Sequence, residues 1–139
     1  MTRLLILHKK TDPIEQIDAW AKQLEALAHA TPGMTGLFTI TSAREDHAAR
    51  SGNAGSFEAW ARDVATGIDP QTREHRYDWF IVTGNGSMGK ITMQIVKLAL
   101  SRNASVYWLG PDAICRKVEK VEWAGGQWKD GWSVRVKRA

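Results

Sequence analysis

Gly84-Asn85-Gly86-Ser87-Met88-Gly89 is the segment whose residue types and spacing most directly suggest chemistry. It matches G-x-G-x-x-G and lies between an apolar run, Tyr77 to Thr83, and a stretch of helical period that begins at Lys90. The strand–loop–helix context is what gives such a match meaning. The first glycine permits a tight turn, the second lets backbone approach a phosphate, and the third lets helix and strand pack closely. Free backbone N–H groups and the helix dipole then favour an anion, and Lys90 would add a positive charge. The alternative is a tight turn that binds nothing. The loop also nearly fits G-x-x-x-x-G-K-[ST], but Ile91 stands where Ser or Thr would hold Mg²⁺. Thr92 is one step further on, rotated by about 100° around the helix. That mismatch argues against an ATPase or GTPase.

A second group is Ser42-Ala43-Arg44-Glu45-Asp46-His47, which reads as a polar stretch after a strand. Arg44 offers a planar fork for phosphate or carboxylate. Glu45 or Asp46 could act as a carboxylate, and His47 as an acid or base near neutral pH. The alternative is a solvated charged loop. His8 closes the first apolar run, and Asp112 lies 23 residues after Gly89, where a dinucleotide fold places its ribose-binding acid. Only 27 residues follow Asp112, too few for the second half of such a fold, so no redox cofactor is expected. The four histidines have no paired spacing and the single Cys115 has no evident base, so no metal site is expected and the thiol reads as buried. The charged run from Asp69 to Arg76, with Arg62-Asp63 before it, reads as a connecting loop salt-bridged through Arg73 and Arg76.

These groups need elements to hold them. Arg3–His8 is a short apolar run suited to a strand buried on both faces. Asp12-Pro13 can open a helix whose apolar face is Ile14, Ile17, Leu24 and Leu27, running to Ala30 before Pro32-Gly33. Leu37–Thr41, Tyr77–Thr83 and Ser105–Leu109 read as further strands, and Phe57–Val64 and Ile91–Ala99 as further helices, the last ending at Asn103. Trp132, Val134 and Val136 alternate with Ser133, Arg135 and Lys137, the period of a half-buried strand, after turns at Gly125-Gly126 and Asp130-Gly131. The pattern predicts an α/β fold of about four parallel strands with right-handed crossovers, plus a C-terminal β-hairpin. Ligands of such sheets bind beyond the carboxyl ends of the strands. Here those ends are His8-Lys9-Lys10, Thr41–Arg44, Thr83–Gly89 and Gly110–Asp112.

The length of 139 residues fits one domain, residues 1–139, with 113–139 as a hairpin extension. No apolar run approaches the roughly 18–20 residues that span a bilayer, and the N-terminal apolar run is too short for a secretory signal. A cytoplasmic protein with no membrane partner is expected. Residues 1–115 carry twelve basic and twelve acidic side chains, and residues 116–139 carry seven and three, so the net charge of +4 resides in the tail. With Trp123, Trp128 and Trp132 among those cations, the tail could stack and neutralise nucleic acid, or join copies of the chain as a homo-oligomer. A hairpin covering a sheet edge with a solvated Lys/Arg face explains the same pattern.

The strand 77–83, the loop 84–89 and the run Ile91–Leu100 through Val106-Tyr107 together resemble the small Rossmann-like superfamily of nucleoside 2-deoxyribosyltransferases and lysine-decarboxylase-like nucleotide hydrolases. The likeness covers residues 77–109. It implies a single-domain Rossmann-like three-layer sandwich, a nucleotide or nucleoside ligand, and cleavage or transfer at an N-glycosidic bond. It also implies a Glu near the helix start as nucleophile or orienting carboxylate. This chain departs from that pattern, offering Lys90 and Gln94 and no carboxylate there. An amide cannot be a nucleophile or general base. Either Glu45, Asp46 and His47 supply the chemistry, or the scaffold serves binding alone, including a non-enzymatic nucleic-acid or protein contact through the tail.

Overall fold

The computed structural model describes residues 2–30, 38–54, 56–123 and 131–136, so the helix stop at Pro32-Gly33 and the turn at Gly125-Gly126 lie outside the described residues. The elements are β1 (Thr2–Leu7), α1 (Ile14–Ala30), β2 (Phe38–Ser42), α2 (Ala43–Ala54), α3 (Phe57–Thr66), β3 (Trp79–Thr83), β4 (Ser87–Met88), α4 (Lys90–Ser101), β5 (Ser105–Leu109), β6 (Cys115–Trp123) and β7 (Trp132–Val136). The fold is α/β, and its seven-stranded sheet runs β2-β1-β3-β5-β6-β7-β4. The sheet is mixed. Strands β2, β1, β3 and β5 pair in parallel, whereas β6, β7 and β4 continue it antiparallel.

Alternation along the strands divides the core in two. Leu5, Leu7, Phe80, Val82 and Val106 point to one face, under Trp60, Ala61 and Val64 of α3 and Met93, Val96 and Ala99 of α4. Leu4, Ile6, Ile81 and Leu109 point to the other, under Leu24, Trp20 and Leu27 of α1. Burying each such aliphatic or aromatic side chain contributes about 1.5–3 kcal/mol, so β1 and β3, apolar on both faces, anchor the sheet. Ile14, expected on the buried face of α1, is instead 59% exposed because it opens the helix. Helix α4 ends at Ser101, and Asn103 takes the left-handed φ of 61° beyond it. Arg102 then ties this end to α3 and to the entry of β3, donating to Ala65 O and Tyr77 O, each at 2.6 Å.

The stretch 42–47 is not a loop. Ser42 closes β2 and its Oγ accepts the Glu45 N–H at 3.1 Å, while Glu45 Oε1 accepts the Ser42 N–H at 3.4 Å. This reciprocal capping box starts α2 at Ala43. Its first turn carries Asp46 inward, where it is only 7% exposed. The carboxylate accepts from Tyr77 Oη at 2.5 Å, Trp60 Nε1 at 2.8 Å, and Arg50 Nε and Nη2 at 3.0 and 2.5 Å. Arg50 also pairs with Asp63, which pairs in turn with Arg76 at 2.9 Å. Burial, and then the bond to Asp46 and its negative charge, push the Tyr77 phenol well above its ordinary pKa.

Asp46→Ala leaves the Trp60 and Tyr77 donors unpaired and takes from half-buried Arg50 one of its two carboxylates, and urea unfolding should show a loss of about 2–5 kcal/mol. Tyr77→Phe should cost about 1–3 kcal/mol, the range for leaving one buried partner unsatisfied. Because the raised phenol holds its proton in the folded chain, the contribution of Tyr77 to stability should be constant below about pH 10 and fall as pH rises from there. Tyr77→Phe should flatten that alkaline limb, by up to about 1.4 kcal/mol per pH unit.

Candidate functional site

The chain passes from β1 outward to β2, then crosses back to β3 on the other side of β1, so the strand order reverses between β1 and β3. In open α/β sheets the crevice at such a reversal, beyond the carboxyl ends, is where ligands sit. His8–Asp12 flanks it on one side and Gly84–Gly89 on the other. Thr83 Oγ1 donates to Leu7 O at 2.8 Å and holds the two strand ends together.

On the β1 side, polar groups mostly fix each other. The His8 Nδ1–H donates to Lys9 O at 2.9 Å, and its Nε2 accepts the Arg44 N–H at 3.2 Å, which sets the neutral tautomer and gives α2 a second cap. Arg44 Nη2 donates to Lys10 O at 3.2 Å and Asp12 O at 2.8 Å, strapping the β1–α1 loop to α2. Asp12 accepts the Lys9 N–H at 2.8 Å. The structure therefore brings His8, Ser42, Arg44 and Glu45 together at one corner. Asp46 and His47 are not part of it. Asp46 is buried under α3, and His47 stacks on Phe57 at 4.5 Å and meets Trp60 edge-on at 5.1 Å. Of the three carboxylate and imidazole candidates, Glu45 alone is exposed at the crevice edge.

On the β3 side, the glycine motif is divided in function. Gly84 and Gly86 take positive φ, 75° and 85°. A Cβ on Gly84 would meet nothing within 4 Å, whereas one on Gly86 would lie 2.9 Å from Val134 Cγ2 and 3.4 Å from the Trp108 ring. The Val134 N–H also donates to Gly86 O at 3.2 Å, and Ser87 and Met88 form β4 against Ser133 and Trp132 of β7. The second glycine thus makes room for the C-terminal strand, and Met88 is 2% exposed beneath it. Trp108 Nε1 donates to Gly84 O at 3.0 Å, and Asn85 Oδ1 accepts the Ser87 N–H and Oγ–H at 3.0 and 2.7 Å. Gly89 caps α4 with no side-chain hydrogen bond, no carboxylate stands in the first turn, and Lys90 leads it, exposed.

Asp112 does not serve the crevice. Strand β6 turns back antiparallel on β5, and Asp112 in that turn grips Arg116 at 3.2 and 2.6 Å, which holds its carboxyl below the usual range. Cys115 lies half-buried beside Leu109, and burial pushes its thiol up. On the hairpin, Lys120 and Arg135 pair with Glu122 at 3.1 and 2.5 Å, so three of the tail's cations already have carboxylate partners. Trp128, Lys129, Lys137 and Arg138 lie outside the described residues. Among the described residues, no group of His, Cys, Asp or Glu could hold a metal ion, and no helix is long and apolar enough to cross a membrane. A cavity of about 560 Å³ lined by Thr2, Ile68, Arg73, Glu74, His75 and Asp78 opens at the opposite, amino end of β1 and β3.

Sequence reasoning missed the start of α2, although Ser42-x-x-Glu45 before an apolar position is its signal. It also missed Trp108 as the support of the glycine loop, for which spacing carries no signal. Comparison with protein-family models, curated proteins and solved structures returns no match.

Gly86→Ala should destabilise by about 2–4 kcal/mol in urea, combining a left-handed backbone with overpacking. Gly84→Ala should cost about 1–2 kcal/mol, the backbone contribution alone. Combined with Val134→Ala, Gly86→Ala should lose less than the two single losses together, because the contact is shared.

Proposed function

We propose that the chain is a small nucleotide- or nucleoside-binding protein that seats a phosphate where the glycine loop enters α4. The observation that carries this reading is the start of α4. It opens at the carboxyl edge of the sheet with no side-chain cap, no first-turn carboxylate and an exposed lysine. Each other helix carries acidic residues in its first turn, Glu15, Glu45 with Asp46, and Glu58. Unsatisfied N–H groups and the positive end of the dipole favour an anion. The open space beside Gly84 supplies an approach that Gly86 does not.

On this reading, helices on both faces of the parallel strands make a Rossmann-like sandwich, and the hairpin braces the loop from behind. Cleavage at an N-glycosidic bond would fall to Glu45, the exposed carboxylate of the corner, though its present bond is to the Ser42 N–H. Binding is therefore the primary reading, and base release is its extension.

A thermal-shift panel of AMP, deoxynucleoside monophosphates, ADP-ribose and free nucleosides tests it. A ligand at 100 times its Kd should stabilise by about 2.7 kcal/mol, several degrees for a domain of this size. Phosphorylated ligands should shift the Tm and nucleosides should shift it less. Lys90→Glu should raise the ligand-free stability by about 0.3–1 kcal/mol, through the dipole, while abolishing the ligand shift. Equal shifts in wild type and Lys90→Glu, or no shift with any phosphorylated ligand, would overturn the reading.

A further inference from the structure

We propose that Trp123 is the platform on which the base of the bound nucleotide stacks, an inference that rests on the phosphate reading above. Trp123 is 54% exposed although it is the largest kind of apolar side chain and ends a strand. Exposure of that size asks for a reason, because an indole left in water forfeits much of its burial free energy.

Its position is set by two registers. Met88 pairs with Trp132 across β4 and β7, and Trp132 pairs with Trp123 across β7 and β6. Met88, Trp132 and Trp123 therefore form one row across three strands, spanning about 10 Å at the usual strand spacing. Met88 lies two residues before Lys90, so this row crosses the sheet beside the start of α4. The indole of Trp123 is turned along β7 towards Gly131, filling the place where a Cβ there would stand. In the antiparallel pairing of Met88 with Trp132, Gly131 lies on the side of Gly89. The exposed ring thus leans along the strands in the direction in which the chain runs from Met88 into α4.

The ring is also held ready. Trp132 packs against it edge-on, with centroids 5.2 Å apart, and Lys97 Nζ sits 4.3 Å over Trp132 on the flank of α4. The glycine at 131 lets the indole lie against backbone. Any larger residue would push it away. An indole fixed by a second tryptophan loses little rotamer freedom on stacking, and a flat, partly wet aromatic whose partner ring already carries Lys97 suits a nucleobase. A nucleotide phosphate at Lys90 with its base on Trp123 would bridge the loop and the hairpin.

Calorimetric titration of AMP and of ribose 5-phosphate into wild type, Trp123→Ala and Trp123→Phe separates the possibilities, with thermal melts confirming that each variant folds. Wild type should bind AMP more tightly than ribose 5-phosphate, on the order of tenfold. Trp123→Ala should erase that preference while leaving ribose 5-phosphate affinity unchanged, and Trp123→Phe should keep most of it. A preference that survives in Trp123→Ala overturns the proposal and leaves the phosphate site standing. So does a variant that weakens both ligands equally, or one that only dissociates a dimer. If wild type binds neither ligand, the phosphate site and the stacking platform fail together.

Discussion

A carboxylate withdrawn from water must have its lone pairs occupied, and Asp46 meets that demand with donors from three separate elements. Arg50 comes from the same helix, Trp60 from α3 and Tyr77 from the approach to β3. The requirement fixes the mutual placement of α2, α3 and the central strand more narrowly than apolar packing could, since hydrophobic contact has no direction. Once α2 is fixed, so is its first turn, and through Arg44 and His8 so is the loop that leaves β1. One side of the crevice thus takes its shape from a buried ion that never reaches it.

The other side takes its shape from the hairpin. In a glycine loop that receives a ligand, the bare backbone is the binding surface. Here the middle glycine is bare because Val134 and Trp108 occupy the space. Identical residue types at identical spacing can answer to internal packing at one position and to solvent at the next. What remains open to a ligand is the first glycine, the helix start and the exposed lysine beside it.

Legibility in the sequence followed the range of the interactions. Strands β1 and β3 are readable because both faces are buried, leaving unbroken apolar runs, and β7 because its apolar face is half-buried, leaving alternation. Helices α1, α3 and α4 declared themselves by apolar period. Helix α2 did not, because its inward residue is an aspartate whose partners lie up to 31 positions away. The roles of Ser42 and Glu45 are visible in principle as a local capping box, yet the density of ionisable groups over Arg44–His47 makes Glu45 read as a catalytic carboxylate. Its place just beyond the carboxyl end of a strand makes Asp112 read as a crevice residue. The tight return into β6 turned it onto Arg116 instead. The bulge between Val118 and Lys120, which lets both Val118 and Val121 pack towards the core, has no signature in local composition.

The pairing of β4 with β7 also has a meaning in time. Synthesis delivers the chain from its amino end, and domains fold as their parts emerge, at about 5–20 residues per second. Strands β1, β2, β3 and β5 can find one another before the tail exists. The glycine loop cannot be finished then, because its partner Trp132 lies 44 positions after Met88. The nascent molecule therefore acquires a core before it acquires a completed loop, and the loop closes only once β7 has emerged. Until that moment Met88 and the space beside Gly86 lack the strand that covers them, an apolar seam of the kind chaperones recognise.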